Sequence, residues 1–391
     1  MRRCIRIDNC MTALNINIGF ISIDNPKDKK TSSGTLYTIS ENLKSIGCFH
    51  WIPLRKNLSY RFLEVIFKII AKFFRRNICF SHTTLGARLL SKGININDLR
   101  NVDILIAYWC GSTFGQIETN TIPSIYISDA TFPAMINYYP PFSKLWKWNI
   151  TQGTILEKKT MDKVSAVVLS SDWSANSAVQ DLHQTSDKIH VIEFGANIAD
   201  KDIVKRNFKC NVVLNLLFLG VEWERKGGDI AIETTEWLNK NGIKTQLYIV
   251  GIKTLDEKIK KLPFVTYVGF LNKNNETEYH KLIEIIYNCH ALILPTHAEC
   301  SAIAFAEASA YGLPTFTSQT GGIPNYIENG RNGYMLPLGA TGKDYGELIA
   351  KCLKSGGLEQ MANTSREVYL EKLNWNVWTK KMSNLIANLL K

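Results

Sequence analysis

The chain has 391 residues, of which 45% are hydrophobic and 21% charged, with a formal net charge of +11. This length holds two domains with full cores, and the balance excludes a disordered chain. Nine cysteines without a CxxC pair or a regular framework exclude a secreted disulfide scaffold and argue against zinc, so the thiols are expected to be reduced, in a cytosolic compartment.

Residues 1–15 read as a basic, irregular lead-in. MRRCIRIDNCM lacks the apolar segment of a signal peptide, and no run of eighteen apolar residues follows, so the protein is expected to stay inside the cell. Ile16 to Ile23 alternates and is β-branched, as a first strand would be. A charged loop runs to Ser33 and Gly34, and a helix follows to Ile46. Strand, loop, glycine and helix in that order make the general form of a phosphate-facing βα unit. Cys48 to Leu54, Asp103 to Tyr108, Ser124 to Ser128, Val164 to Ser170 and His190 to Phe194 read as further strands, and Ser59 to Asn77 as a long helix. The alternation predicts a doubly wound parallel sheet over 16–196, with its ligand crevice at the C-terminal strand ends. Asp129 sits at such an end, directly after SIYIS.

Gly195 to Phe208 is the expected linker, with a new strand starting at Asn211. The nominal D-x-D of Asp200, Lys201 and Asp202 lies in it, follows no buried strand pair, and reads as solvated surface. Leu214 to Gly220 is a strongly apolar strand followed by EWERKGG and a helix from Asp229 to Asn239. Arg225 and Lys226 therefore stand at a strand end before a helix, where two fixed cations can offset a diphosphate. Thr245 to Gly251 and Phe264 to Phe270 are two more strands, and Tyr279 to Asn288 is a helix. Ala291 to Pro295 is a buried strand, Thr296 to Cys300 a loop, and Ser301 to Tyr311 a helix stopped by Gly312 and Pro314. This puts Ser301, Ala302 and Ile303 at a helix N-terminus, whose free N–H groups favour phosphate. Glu299 and Glu307 bracket that first turn, and Gly321, Gly322 and Pro324 make a turn that lets backbone approach a ligand closely.

The stretch from Leu294 to Pro324 closely resembles the E-x7-E signature of the retaining family 4 glycosyltransferases, which have the two-lobed GT-B fold. The resemblance is dense from Leu214 to Pro337 and looser before Gly195. It implies that Glu299 contacts the donor sugar, that Glu307 holds the ribose, and that Ser301, Ala302 and Ile303 cradle the diphosphate. It also implies that Gly34 borders the donor phosphates and that the nucleobase lies near Gly251 and Phe270. Lys226 matches the family's lysine, whereas Val221 stands where an arginine is usual, leaving Arg225 to act from the other side of the loop. The family often has a histidine where this chain has Ser128 and Asp129; Asp129 becomes a candidate for donor or acceptor hydroxyls, or else a capping aspartate. His297 either donates to a sugar hydroxyl or phosphate or satisfies local backbone. The amphipathic stretch Trp375 to Leu390 is expected to return to the first domain, which divides the chain into 1–15, 16–196, 197–370 and 371–391.

The expected activity is retaining transfer of a sugar from a nucleoside diphosphate sugar to a hydroxyl of a glycan or lipid-linked acceptor, in surface polysaccharide or glycolipid assembly, with no metal and no other cofactor. A sugar-nucleotide epimerase of the same shape and a non-catalytic nucleotide-sugar binding protein are the alternatives. No helix-turn-helix, zinc-finger or RNA-sheet signature appears, so nucleic acid is not an expected partner. Before Ala196 the chain has 23 basic and 15 acidic residues, and from there on 23 and 20. The charged first half fits an anionic lipid surface. Within it, Ser59 to Asn77 carries apolar side chains around more of its circumference than one sheet requires, with Arg61, Glu64, Lys68, Lys72 and Arg75 recurring along one face. That stretch reads as a helix for peripheral membrane docking or as an ordinary crossover helix.

Overall fold

The computed structural model describes residues 14–29, 31–119, 121–204 and 213–391. Most of the basic lead-in, residues 205–208 of the expected linker and the strand start at Asn211 lie outside the described residues.

Two parallel sheets face one another, as the strand-helix alternation requires. The first contains β1 (Asn17–Ser22), β2 (Cys48–Pro53), β3 (Ile104–Tyr108), β4 (Ser124–Ser128), β5 (Ala166–Leu169) and β6 (Ile189–Val191) in the order β2-β1-β3-β4-β5-β6. The second contains β7 (Leu214–Leu219), β8 (Thr245–Val250), β9 (Val265–Gly269), β10 (Ala291–Leu294), β11 (Thr315–Ser318) and β12 (Gly333–Leu336) in the order β12-β11-β10-β7-β8-β9. The doubly wound α/β architecture expected from sequence is therefore the one found. β12 has no expected counterpart, because GYML is short, opens on glycine and lies at the sheet edge. A Cβ on Gly333 would stand 2.0 Å from the Thr315 carbonyl oxygen, so only glycine lets this strand pair there.

Residues of β3, β4, β5 and β10 are buried along their whole length, which is why they read as continuous apolar runs. One face of the first sheet packs against the helix Thr35–Ile46 and against Trp375, Trp378, Met382 and Ile386 of the last helix, Trp375–Leu389. The chain thus crosses twice between domains, and the Trp375 indole N–H donates to the Ala196 carbonyl at 2.9 Å where the two crossings meet. Asp200 and Asp202 belong to the first of these crossings. Asp202 accepts from the Tyr279 hydroxyl at 3.0 Å and Asp200 from the Tyr369 hydroxyl at 3.1 Å. Asp200 and Lys201 are exposed, as the solvated-surface reading expects, and the two carboxylates in addition moor the crossing segment to the second domain.

Two helix boundaries differ from expectation. The helix expected over Ser59 to Asn77 runs Leu58–Phe73. Arg75 is left-handed (φ 52°), and the Arg76 and Arg75 N–H groups donate to the Ala71 and Lys72 carbonyls, closing the helix with an arginine where glycine is usual. The helix expected from Ser301 runs Ile303–Ala310, because the Ile303 N–H turns back to the Ser301 carbonyl and no side chain caps the start.

Candidate active site

In each sheet the strand order reverses once, between β1 and β3 and between β10 and β7. Loops leaving neighbouring strands at such a point run to opposite faces and open a crevice. Loops after β1, β3, β4, β7 and β10 meet around one cavity of about 480 Å³ between the domains, lined among others by Ser33, Trp109, Asp129, Arg225, Glu299 and Ser301. A second cavity of about 440 Å³ adjoins it at Ser33 and is lined by Gly34, Asn197, Tyr279 and three lysines, Lys29, Lys201 and Lys273.

Glu299 leaves the end of β10 and forms an ion pair with Lys226, with Arg225 at 3.8 Å from the same carboxylate oxygen. Local packing forces this placement. Gly220 lies beneath the Lys226 side chain, where a Cβ would come within 2.9 Å of Cγ, and Gly227 is left-handed with its Cβ position 2.1 Å from the Pro295 carbonyl. Only glycines let the loop after β7 lie this close to the end of β10. Arg225 donates to the Ala298 carbonyl and to Glu222, both at 2.8 Å, and its guanidinium sits over the Tyr139 ring at 4.9 Å. Arg225 lines the cavity, and its enclosed Nε has no hydrogen-bond partner among the described residues.

Asp129 faces this cluster from the first domain. Enclosure pushes its carboxyl up to about 7, and the Glu299 charge adds to the rise, while a hydrogen bond from the Trp109 side chain works against it. Deeper in the cavity Glu157 accepts from the Phe132 N–H at 2.5 Å and the Tyr126 hydroxyl at 2.9 Å, and burial raises it to about 7 as well.

Glu307 is buried and paired with Lys273 at 2.5 Å, so it reaches the second cavity through that lysine. Gly34, left-handed at φ 92°, caps the helix Thr35–Ile46 and lines that cavity, while Asn197 donates to Ser33 and Thr35 beside it. Of the helix-start trio, Ser301 and Ile303 line the first cavity and Ala302 does not. His297 is exposed and outside both linings, with its N–H given to the Arg225 carbonyl. Gly251 and Phe270 also lie outside both cavities. Gly251 packs over the Gly220 carbonyl, and Phe270 is 40% exposed with Lys253 over its ring.

The Gly321-Gly322 turn approaches protein rather than open space. A Cβ on Gly321 would stand 2.1 Å from the Glu299 carbonyl oxygen and 2.2 Å from the Tyr138 hydroxyl, and one on Gly322 would stand 1.9 Å from the Cys300 carbonyl. The small size of this turn seats the Glu299 loop. Tyr138 completes the seat by accepting from the Glu299 N–H at 2.9 Å and bonding the Thr320 hydroxyl at 3.0 Å. Sequence reasoning missed Tyr138, Tyr139, Trp109, Glu157 and Lys273. Trp109 alone carried a signal, since it follows β3 just as Asp129 follows β4. Among the described residues no cluster of three or more His, Cys, Asp or Glu side chains could hold a metal ion.

Residues 209–369 match the family model for glycosyl transferases group 1. The amylovoran biosynthesis glycosyltransferase AmsK of Erwinia amylovora is 27% identical over 161 residues, 39% of each chain. The chain spans about half the length of the curated relatives it matches. Among solved structures, sucrose-phosphate synthase from Thermosynechococcus elongatus aligns over 96% of this chain and 99% of its own with a TM-score of 0.70 and 14% identity. Anabaena HepE, solved in complex with UDP and glucose, aligns over 96% of this chain and 100% of its own with a TM-score of 0.62 and 12% identity. The whole chain therefore has the GT-B fold, and its second domain carries the match to glycosyl transferases group 1.

Proposed function

We propose that the chain is a retaining glycosyltransferase that moves a sugar from a nucleoside diphosphate sugar to an acceptor hydroxyl in surface polysaccharide or glycolipid assembly. The observation that carries this reading is the meeting of Glu299, Arg225 and Lys226 at the rim of an interdomain cavity opposite Asp129. The AmsK match and the UDP held by HepE support the substrate class.

In this reading the diphosphate lies between the start of the helix Ile303–Ala310 and the two cations. The bond from the anomeric carbon to the diphosphate oxygen breaks, and the acceptor oxygen forms its bond on the same face. The acceptor proton passes to the departing phosphate oxygen. Charge growing on the diphosphate is offset by the positive charge of Arg225 and by Lys226 as Glu299 turns to the sugar hydroxyls. Glu307 exchanges its Lys273 contact for the ribose, and Asp129 and Trp109 face the sugar or acceptor from the first domain. The reading assigns no metal and no other cofactor, because these cations perform the charge offset themselves.

A panel of nucleoside diphosphate sugars in a thermal-shift assay, followed by product analysis for anomeric configuration, tests this. At least one donor should raise the melting temperature and yield a product of unchanged anomeric configuration. If no nucleoside diphosphate or its sugar shifts the melting temperature, the reading fails.

A further inference from the structure

The helix Leu58–Phe73 is apolar on two opposite faces. Its inner row, Tyr60, Leu63, Phe67 and Ala71, packs into the first-domain core, with the Phe80 ring 5.1 Å from both Tyr60 and Phe67. A crossover helix needs only that face. Its outer row, Leu58, Phe62, Val65, Ile69 and Phe73, recurs at steps of three and four and lies open, Phe62 at 67% exposed, Ile69 at 64% and Phe73 at 82%. Rings extend the open row beyond the helix end. Phe73 meets Phe74 at 5.2 Å, Phe74 meets Trp146 at 6.4 Å, and Trp146 stacks on Trp148 at 6.0 Å.

Cations border this surface. A groove of about 860 Å³ beside the helix end is lined by Lys68, Lys72, Arg75, Arg76 and Lys144, together with Tyr138 and Pro140 but no acidic residue. The groove is built rather than incidental. Arg75 and Lys144 both hold left-handed backbone, at φ 52° and 55°, and the Asn77 side chain ties the helix end to the opposite wall by donating to the Pro140 and Ser143 carbonyls at 2.9 Å.

We infer that this face docks on an anionic lipid bilayer, with the outer row and the Phe73–Phe74 rings among the acyl chains, Trp146 and Trp148 at the headgroup level, and the groove cations on lipid phosphates. Charge and shape select this occupant. Nucleic acid would leave the large apolar row uncovered, and a second copy of the chain would bring the same basic rim against itself. A bilayer takes both parts at once, since apolar residues on a helix enter the acyl boundary, tryptophan favours the interface and each basic residue is drawn to anionic headgroups. No helix among the described residues is long and apolar enough to cross a membrane, so the contact is peripheral to the bilayer through this face. Tyr138 lines the groove and also bonds the Glu299 backbone, which places the docked bilayer beside the cleft. The contact itself does not depend on the proposed reaction.

Flotation with phosphatidylcholine vesicles, with and without phosphatidylglycerol, tests the inference. Phosphatidylglycerol should raise the bound fraction about tenfold or more at low salt, and high salt should reverse this. The Phe62→Ser, Ile69→Ser, Phe73→Ser triple variant should lose binding without losing melting temperature, since these side chains are exposed. The Lys72→Glu, Arg76→Glu variant should lose the preference for phosphatidylglycerol. No retention of the wild type on phosphatidylglycerol vesicles at low salt, or undiminished binding by the triple variant, overturns the inference. Sedimentation velocity without lipid adds a third check: a dimer that the triple variant converts to monomer would give this face to a second copy instead.

Discussion

Lys226 and Glu299 stand 73 positions apart in sequence and share an ion pair at the seam between the loops after β7 and β10. Both side chains are largely enclosed, so neither charge is well compensated by water. Removing one therefore strands the other. Lys226→Ala should lower turnover about 100-fold or more, as loss of about 3 kcal/mol of transition-state stabilisation requires, and should also lower the melting temperature. The double variant with Glu299→Ala should recover melting temperature but no activity. Turnover and melting curves on the two single variants and the double variant check this, and near-normal turnover in folded Lys226→Ala would remove the lysine from the phosphate site.

Glu299 and Glu307 should fail in different ways. Glu299→Ala is expected to abolish transfer yet still bind free nucleoside diphosphate, whereas Glu307→Ala should weaken that nucleotide about ten- to 100-fold, the worth of one charge-assisted hydrogen bond. Lys273→Ala leaves Glu307 buried without its counter-charge and should lower the melting temperature. Titration calorimetry separates the two glutamates: equal loss of nucleotide affinity in both would contradict their roles.

Asp129 makes stability fall as pH rises. Its folded carboxyl is raised to about 7 from the ordinary 3.8, so between those values the unfolded chain sheds a proton that the folded chain keeps. The favourable contribution is complete below the unfolded value and is lost as pH climbs through the folded one. Asp129→Asn should therefore gain about 1 kcal/mol or more at pH 8 relative to its effect near pH 4, because it removes the charge that the cavity disfavours. Denaturant melts at the two pH values decide this; a pH-independent difference between variant and wild type would refute the assigned cause.

The Gly322 position admits no side chain, since a Cβ would lie 1.9 Å from the Cys300 carbonyl oxygen. Gly322→Ala should displace the Glu299 loop, with a loss of about 1 to 3 kcal/mol in stability and a larger loss of turnover. Tyr138→Phe is the milder companion. It deletes the hydroxyl that accepts from the Glu299 N–H, costing about 1 kcal/mol, and should reduce turnover while leaving nucleotide affinity intact. Wild-type turnover in Gly322→Ala would show that the seat does not hold Glu299 in place.

Much of this protein was legible in its residues. Apolar runs such as Leu214 to Gly220 and Ala291 to Pro295, spaced by helical stretches, determine buried parallel strands, because a strand covered on both faces has no polar side to alternate with. The same local patterns put Arg225, Lys226, Asp129 and Glu299 at strand ends, where a parallel sheet opens its crevice. Only the tertiary structure decided what those residues touch. Lys226 meeting Glu299, Lys273 meeting Glu307, and Tyr138 reaching Glu299 across 161 positions all depend on how two domains and their loops dock, and no periodicity in one segment records its distance from another. The helix Leu58–Phe73 shows the division most plainly. Its residues determine that it is apolar nearly all round, but the packing of Tyr60 and Ala71 into the core, with Phe62, Ile69 and Phe73 left outside, follows from one sheet having room for only one of its faces.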